Sequence, residues 1–327
     1  MKGINYKMNQ EIPIFFSIDD NYIPCLGVAI HSLKKNLKEK NKFRIIVLNS
    51  EISEKSKAEI KNMEDENIKI DFKDISKEID NLQSDLALRL RDYYSTTIYY
   101  RMFIPSLFAE YDKAIYIDSD IILQDDISNL YNKELKDNYI AAVKDEVING
   151  FEEFRRYSKI AIGIEPEHYF NSGVLLMNLK KMREDKIEEK FIYLLTKYNL
   201  DTAAPDQDYL NILCKDRVVY LPETWNKMPD FGEKIESEKI HLIHYNMFRK
   251  PWHYADVPYS ECFWKYAKET PYYDILMKER ENFTKEQMEQ DELGSQKLVE
   301  YTEKIMKQDL KFVDISHEIN DPNFKLV

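Results

Sequence analysis

The first 75 residues alternate between strand-like and helix-like segments. The apolar run IPIFFSI at 12–18 predicts a strand, and residues 22–37 carry helical spacing. A strand at 43–48, a helix from Ser53 and a strand at 68–72 follow. Because parallel strands need crossover helices between them, this order predicts an α/β fold with a mostly parallel sheet and right-handed crossovers. Ligands of such sheets bind beyond the carboxyl ends of the strands.

The rest of the chain continues this pattern less regularly. Beyond about Thr270 the sequence is charged, with apolar positions at helical spacing. We therefore divide the chain into a leader at 1–11, a main domain at 12–270 and a helical extension at 271–327. The predicted elements after residue 95 are helices at 96–108, 187–198 and 206–214, strands at 114–117, 139–143 and 173–179, and a short strand opening the segment HLIHYNMFRKPWHY.

Two carboxylates interrupt the apolar stretch KAIYIDSDIIL. Residues two apart on a strand project from the same side, so Asp118 and Asp120 would lie a few ångströms apart. Two anions this close repel each other, so that either one holds a proton or a positive charge sits between them. A solvated acidic pair is the plainer alternative for so short a motif.

The composition excludes some classes of partner. A formal net charge of −12 argues against nucleic acid as a partner. Three widely separated cysteines indicate a reducing compartment, where they serve as small buried residues. The sequence has no apolar run near 20 residues and no secretory signal pattern, so we expect a cytoplasmic protein.

Phosphate binding by a glycine-rich loop is also excluded. The chain has only 7 glycines and neither a Gly-x-Gly-x-x-Gly nor a Walker-type loop. If so acidic a protein handles a phosphate-bearing substrate, a divalent cation is the simplest bridge between the two.

His244 could complete a cation site with the two carboxylates. Such a two-carboxylate, one-imidazole set suits Mn²⁺ better than Mg²⁺, although Mg²⁺ stays open. A hydrogen-bonded core histidine is the alternative. Lys250, six residues on, could meet a phosphate oxygen or be a solvated lysine.

Two further polar groups have both a structural and a functional interpretation. The run Asp206-Gln207-Asp208 follows a proline and fits a helix start, where acids are favoured, but it could also face a sugar. Asn171, Ser172 and Gly173 precede an apolar segment and fit an ordinary turn.

Taken together, these residues resemble glycosyltransferase family 8, most of all its bacterial lipopolysaccharide galactosyl- and glucosyltransferases, with glycogenin more distant. The resemblance runs from about Pro13 to His253, roughly three quarters of the chain. Its elements, in the family's order, are FSIDDNY, TTIYYRMFIPSLF, KAIYIDSDIIL, VKDE, YFNSGVLLMNLKKMR, PDQDYLN and HYNMFRKPWH.

The resemblance implies a fold of the GT-A type and a retaining transfer of a hexose from a UDP-sugar to a glycan, lipid-linked or protein-linked acceptor. It implies that Asp118, Asp120 and His244 hold Mn²⁺ and that Lys250 meets the diphosphate. The residues it places near uracil and ribose are Ser17, Asp19, Asn21, Tyr22 and Ser119. Those it places around the donor sugar are Arg101, Asp145, Asn171, Asp206 and Gln207, with Asp208 nearby.

Several points stay open at the level of sequence. The Gln207 carbonyl could stabilise an oxocarbenium-like centre, and retention could follow front-face attack or a double displacement. The donor could be UDP-glucose or UDP-galactose, and the acceptor is undetermined. Relatives usually carry a glycine where this chain has Met247, which puts the geometry of the phosphate loop in question.

The extension and the rival functions leave further alternatives. The acidic extension predicts at most weak peripheral contact with the inner face of the membrane, and it could pack on the main domain or form a homo-oligomer. A non-catalytic binding module of the same fold is the main rival function. A haloacid-dehalogenase-like phosphatase is disfavoured, because its Asp-x-Asp comes near the start of the fold.

Overall fold

A seven-stranded mixed sheet forms the centre of the protein. The computed structural model describes residues 11–38, 41–76 and 96–320, so most of the predicted leader lies outside the described residues. The strands in chain order are β1 (Ile12–Ile18), β2 (Phe43–Asn49), β3 (Ile68–Asp74), β4 (Ala114–Ile117), β5 (Ile121–Leu123), β6 (Ile140–Lys144), β7 (Phe170–Met177), β8 (Val218–Tyr220) and β9 (Leu242–His244). Seven of these strands form the central sheet, and the other two, β5 and β9, form a separate two-stranded sheet.

The sheet has the order β3-β2-β1-β4-β7-β6-β8. Strands β1 to β4 pair in parallel, as the alternation of strands and helices predicts. Strand β7 runs antiparallel to both β4 and β6, and β8 is parallel to β6. The prediction of a mostly parallel mixed sheet is confirmed, with β7 as the reversed strand at its centre.

Helices cover both faces of this sheet. Side chains of β1 alternate between two apolar clusters, since Ile14 and Phe16 belong to one and Phe15 to the other. The helices are α1 (Ile23–Asn36), α2 (Glu54–Lys61), α3 (Ile104–Leu107), α4 (Ser128–Tyr131), α5 (Glu146–Gly150), α6 (Glu152–Tyr157), α7 (Leu179–Glu184), α8 (Ile187–Lys197), α9 (Pro205–Leu213), α10 (Ser260–Ala267), α11 (Tyr273–Asn282), α12 (Lys285–Met306) and α13 (Phe312–Asn320).

Two predicted elements need correction. The predicted helix at 96–108 is a 3₁₀ helix over Thr96–Phe103 followed by the short α3, whose Pro105 lacks the N–H that a continuing helix needs. The predicted turn at 171–173 is wrong. These residues lie inside β7, which starts three residues earlier than predicted because pairing with two neighbours extends it.

The C-terminal helices pack on the rest of the protein. Thr284 caps α12 with a reciprocal Thr–Gln capping box, and Ile305 and Met306 at its end join the apolar cluster on the α8 and α9 face of the sheet. Phe312 and Ile315 of α13 join the same cluster. Among the described helices, none combines the length and the apolar character needed to cross a membrane.

Candidate functional site

The paired carboxylates lie between two strands. Asp118 follows β4, and Asp120 precedes β5, which pairs antiparallel with β9 so that Ile121 faces His244. This pairing places the imidazole beside both carboxylates, although more than 120 residues separate them in the chain. One ligand atom from each of Asp118, Asp120 and His244 lies within 4.8 Å of the others.

Cations of the protein itself balance the two carboxylates. Asp118 Oδ1 accepts hydrogen bonds from Arg101 Nη2 at 3.0 Å and from the Tyr116 hydroxyl at 2.8 Å. Lys250 Nζ lies 2.5 Å from Asp120 Oδ2. Burial opposes the ionisation of Asp120, but Lys250 and His244 outweigh it and hold its pKa well below the ordinary value. Positive charge, rather than a shared proton, therefore resolves the repulsion.

Asn226 fixes which imidazole nitrogen faces the carboxylates. His244 Nδ1 lies 2.9 Å from Asn226 Oδ1, and the Asn226 amide donates to Asn171 Oδ1, also at 2.9 Å. Because the amide oxygen only accepts, Nδ1 carries a proton, and Nε2 is the ring nitrogen that faces Asp120 Oδ1, 3.2 Å away. Asn226 is fully buried, and no local pattern in the sequence singles it out.

This set of groups fits a divalent cation. Two carboxylates and the Nε2 of one imidazole form a mixed oxygen and nitrogen donor set of the kind that Mn²⁺ accepts. Gly173 leaves the space beside them open, since a Cβ there would lie 2.3 Å from His244 Cε1 and 2.7 Å from Asp118 Oδ2. A glycine at this strand position is thus required by the close approach of the site.

A buried network joins Asp145, Asn171 and Gln207. Asp145 caps α5, and its Oδ2 accepts from Asn171 Nδ2 at 3.0 Å and from Gln207 Nε2 at 3.1 Å. Gln207 Oε1 accepts from the backbone N–H of Ser172 at 2.9 Å. Since Asn171 also bonds Asn226, the network runs without interruption from Gln207 to the imidazole of the cation site.

Arg101 ties this network to the carboxylate pair. Its Nε lies 3.2 Å from Asp206 Oδ2, and its Nη1 donates to the Ser172 carbonyl at 2.6 Å. Burial raises the pKa of Asp206, and the Arg101 charge opposes that rise. Arg101 is itself buried, so it is a fixed cation between Asp118 and Asp206.

The surroundings of Asp208 indicate a structural role for its carboxylate. Its carboxylate accepts hydrogen bonds from the hydroxyls of Tyr157 and Tyr169 and from the backbone N–H groups of Ala203 and Ala204, all within 3.0 Å. Burial raises its pKa to about 6, and these hydrogen bonds oppose the rise. The carboxylate anchors the start of α9, and we leave Asp208 out of the proposed catalytic set.

Most residues predicted to bind nucleotide share one cavity of about 990 Å³. Asp19 caps the turn at 20–22, where Tyr22 is 38% exposed, and Asn21 donates its backbone N–H to Asp19. Asn21 lies exposed in this turn. The predicted site residues that line the cavity are Ser17, Asp19, Tyr22, Arg101, Asp118, Ser119, Asp120 and Lys250.

The loop after β9 forms with Met247 at the position where the family resemblance predicts a glycine. Met247 adopts φ +59°, the left-handed conformation that costs a non-glycine residue about 1 kcal/mol. Its side chain packs half-buried against the apolar cluster and lines the cavity. Lys250 Nζ also donates to the Tyr245 carbonyl, so the loop closes back on the cation site.

A GT-A type α/β fold with a carboxylate and histidine cluster at the sheet edge defines a glycosyltransferase of the nucleotide-sugar class. The family model of glycosyltransferase family 8 matches residues 13–256, and the chain belongs to this family.

Known proteins agree with that assignment. The lipopolysaccharide 1,2-glucosyltransferase of Escherichia coli strain K12 is 30% identical over 283 residues, which cover 81% of this chain and 80% of the relative. The galactosyltransferase LgtC, solved with donor and acceptor sugar analogues, superposes with a TM-score of 0.64 at 28% identity, covering 80% of this chain and 96% of LgtC. The bifunctional glycosyltransferase WbbM gives a TM-score of 0.70 at 26% identity over 85% of this chain, which spans only 53% of WbbM.

Proposed function

We propose that this protein is a retaining, Mn²⁺-dependent hexosyltransferase that moves glucose or galactose from a UDP-sugar to a glycan, glycolipid or glycoprotein acceptor. The observation that carries the proposal is the convergence of Asp118, Asp120 and His244 on one point beside a cavity that also exposes Tyr22. This arrangement offers an aromatic face for a base and a cation site for a diphosphate.

The proposed donor site uses residues that are already oriented. Tyr22 stacks on the uracil, Asp19 and Ser17 approach the base and ribose, and Lys250 contacts the diphosphate. A divalent cation held by the carboxylate and histidine cluster would supply positive charge to the departing UDP. Lys250 keeps its second hydrogen bond to the Tyr245 carbonyl, which holds its ammonium at this end of the cavity.

The proposed sugar site depends on the network around Gln207. Asp145 and Asn171 orient hydroxyls of the hexose, and the Gln207 carbonyl oxygen faces the positive charge that develops at the anomeric carbon. An amide oxygen is a weak nucleophile, and Asp206 is held in an ion pair with Arg101. Both facts favour front-face attack by the acceptor over a double displacement.

The relatives support the class of substrate and the setting. One is named for lipopolysaccharide and another was solved with sugar analogues, which agrees with a hexose donor and a glycan acceptor. We infer a cytoplasmic location, with at most peripheral contact at the inner face of the membrane.

Release of UDP from UDP-glucose or UDP-galactose in the presence of Mn²⁺ tests the proposal. The protein should hydrolyse one of these donors slowly, and Asp120→Ala should abolish both UDP release and Mn²⁺-dependent UDP binding measured by calorimetry. Asp125→Ala, in the turn after β5, is the matched control and should retain both. UDP binding without release of UDP from either donor would favour a non-catalytic binding module instead.

A further inference from the structure

Helix α12 forms one wall of the cavity that contains the donor-site residues. Asp291, Gly294, Lys297, Leu298 and Tyr301 line the cavity, and their spacing of three and four residues places them on one face of the helix. A volume of about 990 Å³ is at the upper end of the range for small-molecule sites. The cavity therefore has room for a second substrate beside the donor.

Contacts with two other parts of the protein anchor both ends of this helical segment. The Tyr254 hydroxyl, in the loop that carries Lys250, donates to Asp291 Oδ2 at 2.8 Å. Further along α12, Glu303 pairs at 2.7 Å with Arg156 of α6, which follows the helix capped by the sugar-site aspartate. At 1.5 Å per residue these anchors are about 18 Å apart, and the cavity-lining residues lie between them.

Lys297 has no partner among the residues that the structure describes. Its side chain is exposed and makes no hydrogen bond or ion pair within the described part of the chain, not even with Glu300 three residues further on. It is the only basic residue between 286 and 303, a stretch that contains six acidic ones. Arg101 and Lys250, which line the same cavity, are both paired with carboxylates.

We propose that this face of α12 is the acceptor subsite and that Lys297 binds an anionic group, a phosphate or a carboxylate, on the acceptor sugar. An ammonium and a phosphate form a charge-assisted hydrogen bond, and Tyr301 offers an aromatic ring beside it. The carboxylates that line the cavity, Asp291 near the start of this face among them, repel an anion, so the lysine determines where such an acceptor binds. The inference rests on the proposed transferase function and names the acceptor chemistry of that site.

The test uses the full chain with Mn²⁺ and whichever UDP-sugar it hydrolyses. Each protein is titrated with glucose, glucose 6-phosphate and glucuronic acid. The rate of UDP release is divided by the rate that the same protein shows without added hexose, and the concentration that gives half of the maximal change is recorded for each hexose. In the unchanged protein, at least one anionic hexose should act at a concentration about tenfold or more below that of glucose. The comparison of glucose 6-phosphate with glucuronic acid identifies the preferred anion.

Variants of two lysines on the same helix decide the outcome. Lys297→Met should remove the preference for the anionic hexose, Lys297→Arg should keep it, and Lys285→Met, at the exposed start of α12, should leave hydrolysis and preference unchanged. Equal half-effect concentrations for all three hexoses, or a preference that persists in Lys297→Met, would overturn the inference while leaving the transferase function intact. A higher KM for the UDP-sugar in Lys297→Met with the preference retained would assign the lysine to the donor and also overturn it. Absence of UDP release from every donor would instead refute the proposed function, and the acceptor subsite with it.

Discussion

Replacing Arg101 by methionine tests whether the buried carboxylates depend on a cation of the protein. The Arg101 side chain is 5% exposed, with Nη2 3.0 Å from Asp118 Oδ1 and Nε 3.2 Å from Asp206 Oδ2. Its Nη1 also donates to the Ser172 carbonyl at 2.6 Å. Methionine retains much of the side-chain volume, so the substitution removes mainly the charge and the hydrogen bonds.

The magnitude follows from the burial of the two carboxylates. The Asp206 side chain is 9% exposed, whereas that of Asp118 is 28% exposed and keeps its hydrogen bond from Tyr116. Breaking a buried ion pair costs about 3–5 kcal/mol, because the remaining charge is left uncompensated. Loss of the donor to the Ser172 carbonyl adds about 1 kcal/mol, and protonation of Asp206 recovers a similar amount. We expect the free energy of unfolding to fall by about 4 kcal/mol at pH 7.

Urea unfolding followed by circular dichroism and tryptophan fluorescence measures this loss. Arg155→Met is the matched control, because its ion pair with Glu167 lies on the surface and contributes less than about 1 kcal/mol. A loss in Arg101→Met no larger than that of the control would refute the reasoning, since the carboxylates would then be stable without the cation.

Three further predictions concern single side chains. Asn226→Ala should weaken Mn²⁺ binding about 10- to 100-fold in calorimetry, because the His244 imidazole loses the acceptor that orients it; unchanged affinity would remove Asn226 from the site. Gln207→Ala should lower kcat far more than it raises the donor KM for UDP release, since its proposed contact forms in the transition state, whereas equal effects would make it a binding residue. Burial raises the pKa of Glu188 to about 7, although a hydrogen bond from a nearby serine opposes the rise. Between pH 4.5 and 7 the folded protein therefore holds a proton that the unfolded chain has lost. The Glu188 carboxyl thus destabilises the fold increasingly as pH rises through that window. After allowance for its partial exposure, Glu188→Gln should raise the free energy of unfolding by about 1 kcal/mol at pH 8 and by almost nothing at pH 4.5. The control Glu189→Gln, at an exposed position, should leave the free energy of unfolding unchanged at both pH values. An equal gain for Glu188→Gln at both pH values would contradict the raised pKa.

The sequence predicted the elements that depend on local pattern. The strand and helix alternation of the first 75 residues, the β4 strand before the carboxylate pair and the helical spacing of the extension all appear in the structure. Strand β7 runs over 170–177 and not over the predicted 173–179, because its limits are set by pairing with β4 and β6 rather than by its own residues. The break in the predicted helix at 96–108, by contrast, has a cause in the sequence itself, the missing N–H of Pro105.

The sequence by itself determined that two carboxylates, two residues apart, come directly after a buried strand, because the apolar run and the Asp-x-Asp spacing are local. They lie in the bend between β4 and β5 rather than on a strand, so the expectation from strand alternation does not apply to them. Only the tertiary structure decided what compensates them. Arg101 and Lys250 reach the pair from before β4 and after β9, and Asn226 holds His244 through a contact that no spacing encodes. Electrostatic compensation acts over a few ångströms in space, so residues far apart in sequence meet that need once strand pairing has brought them together.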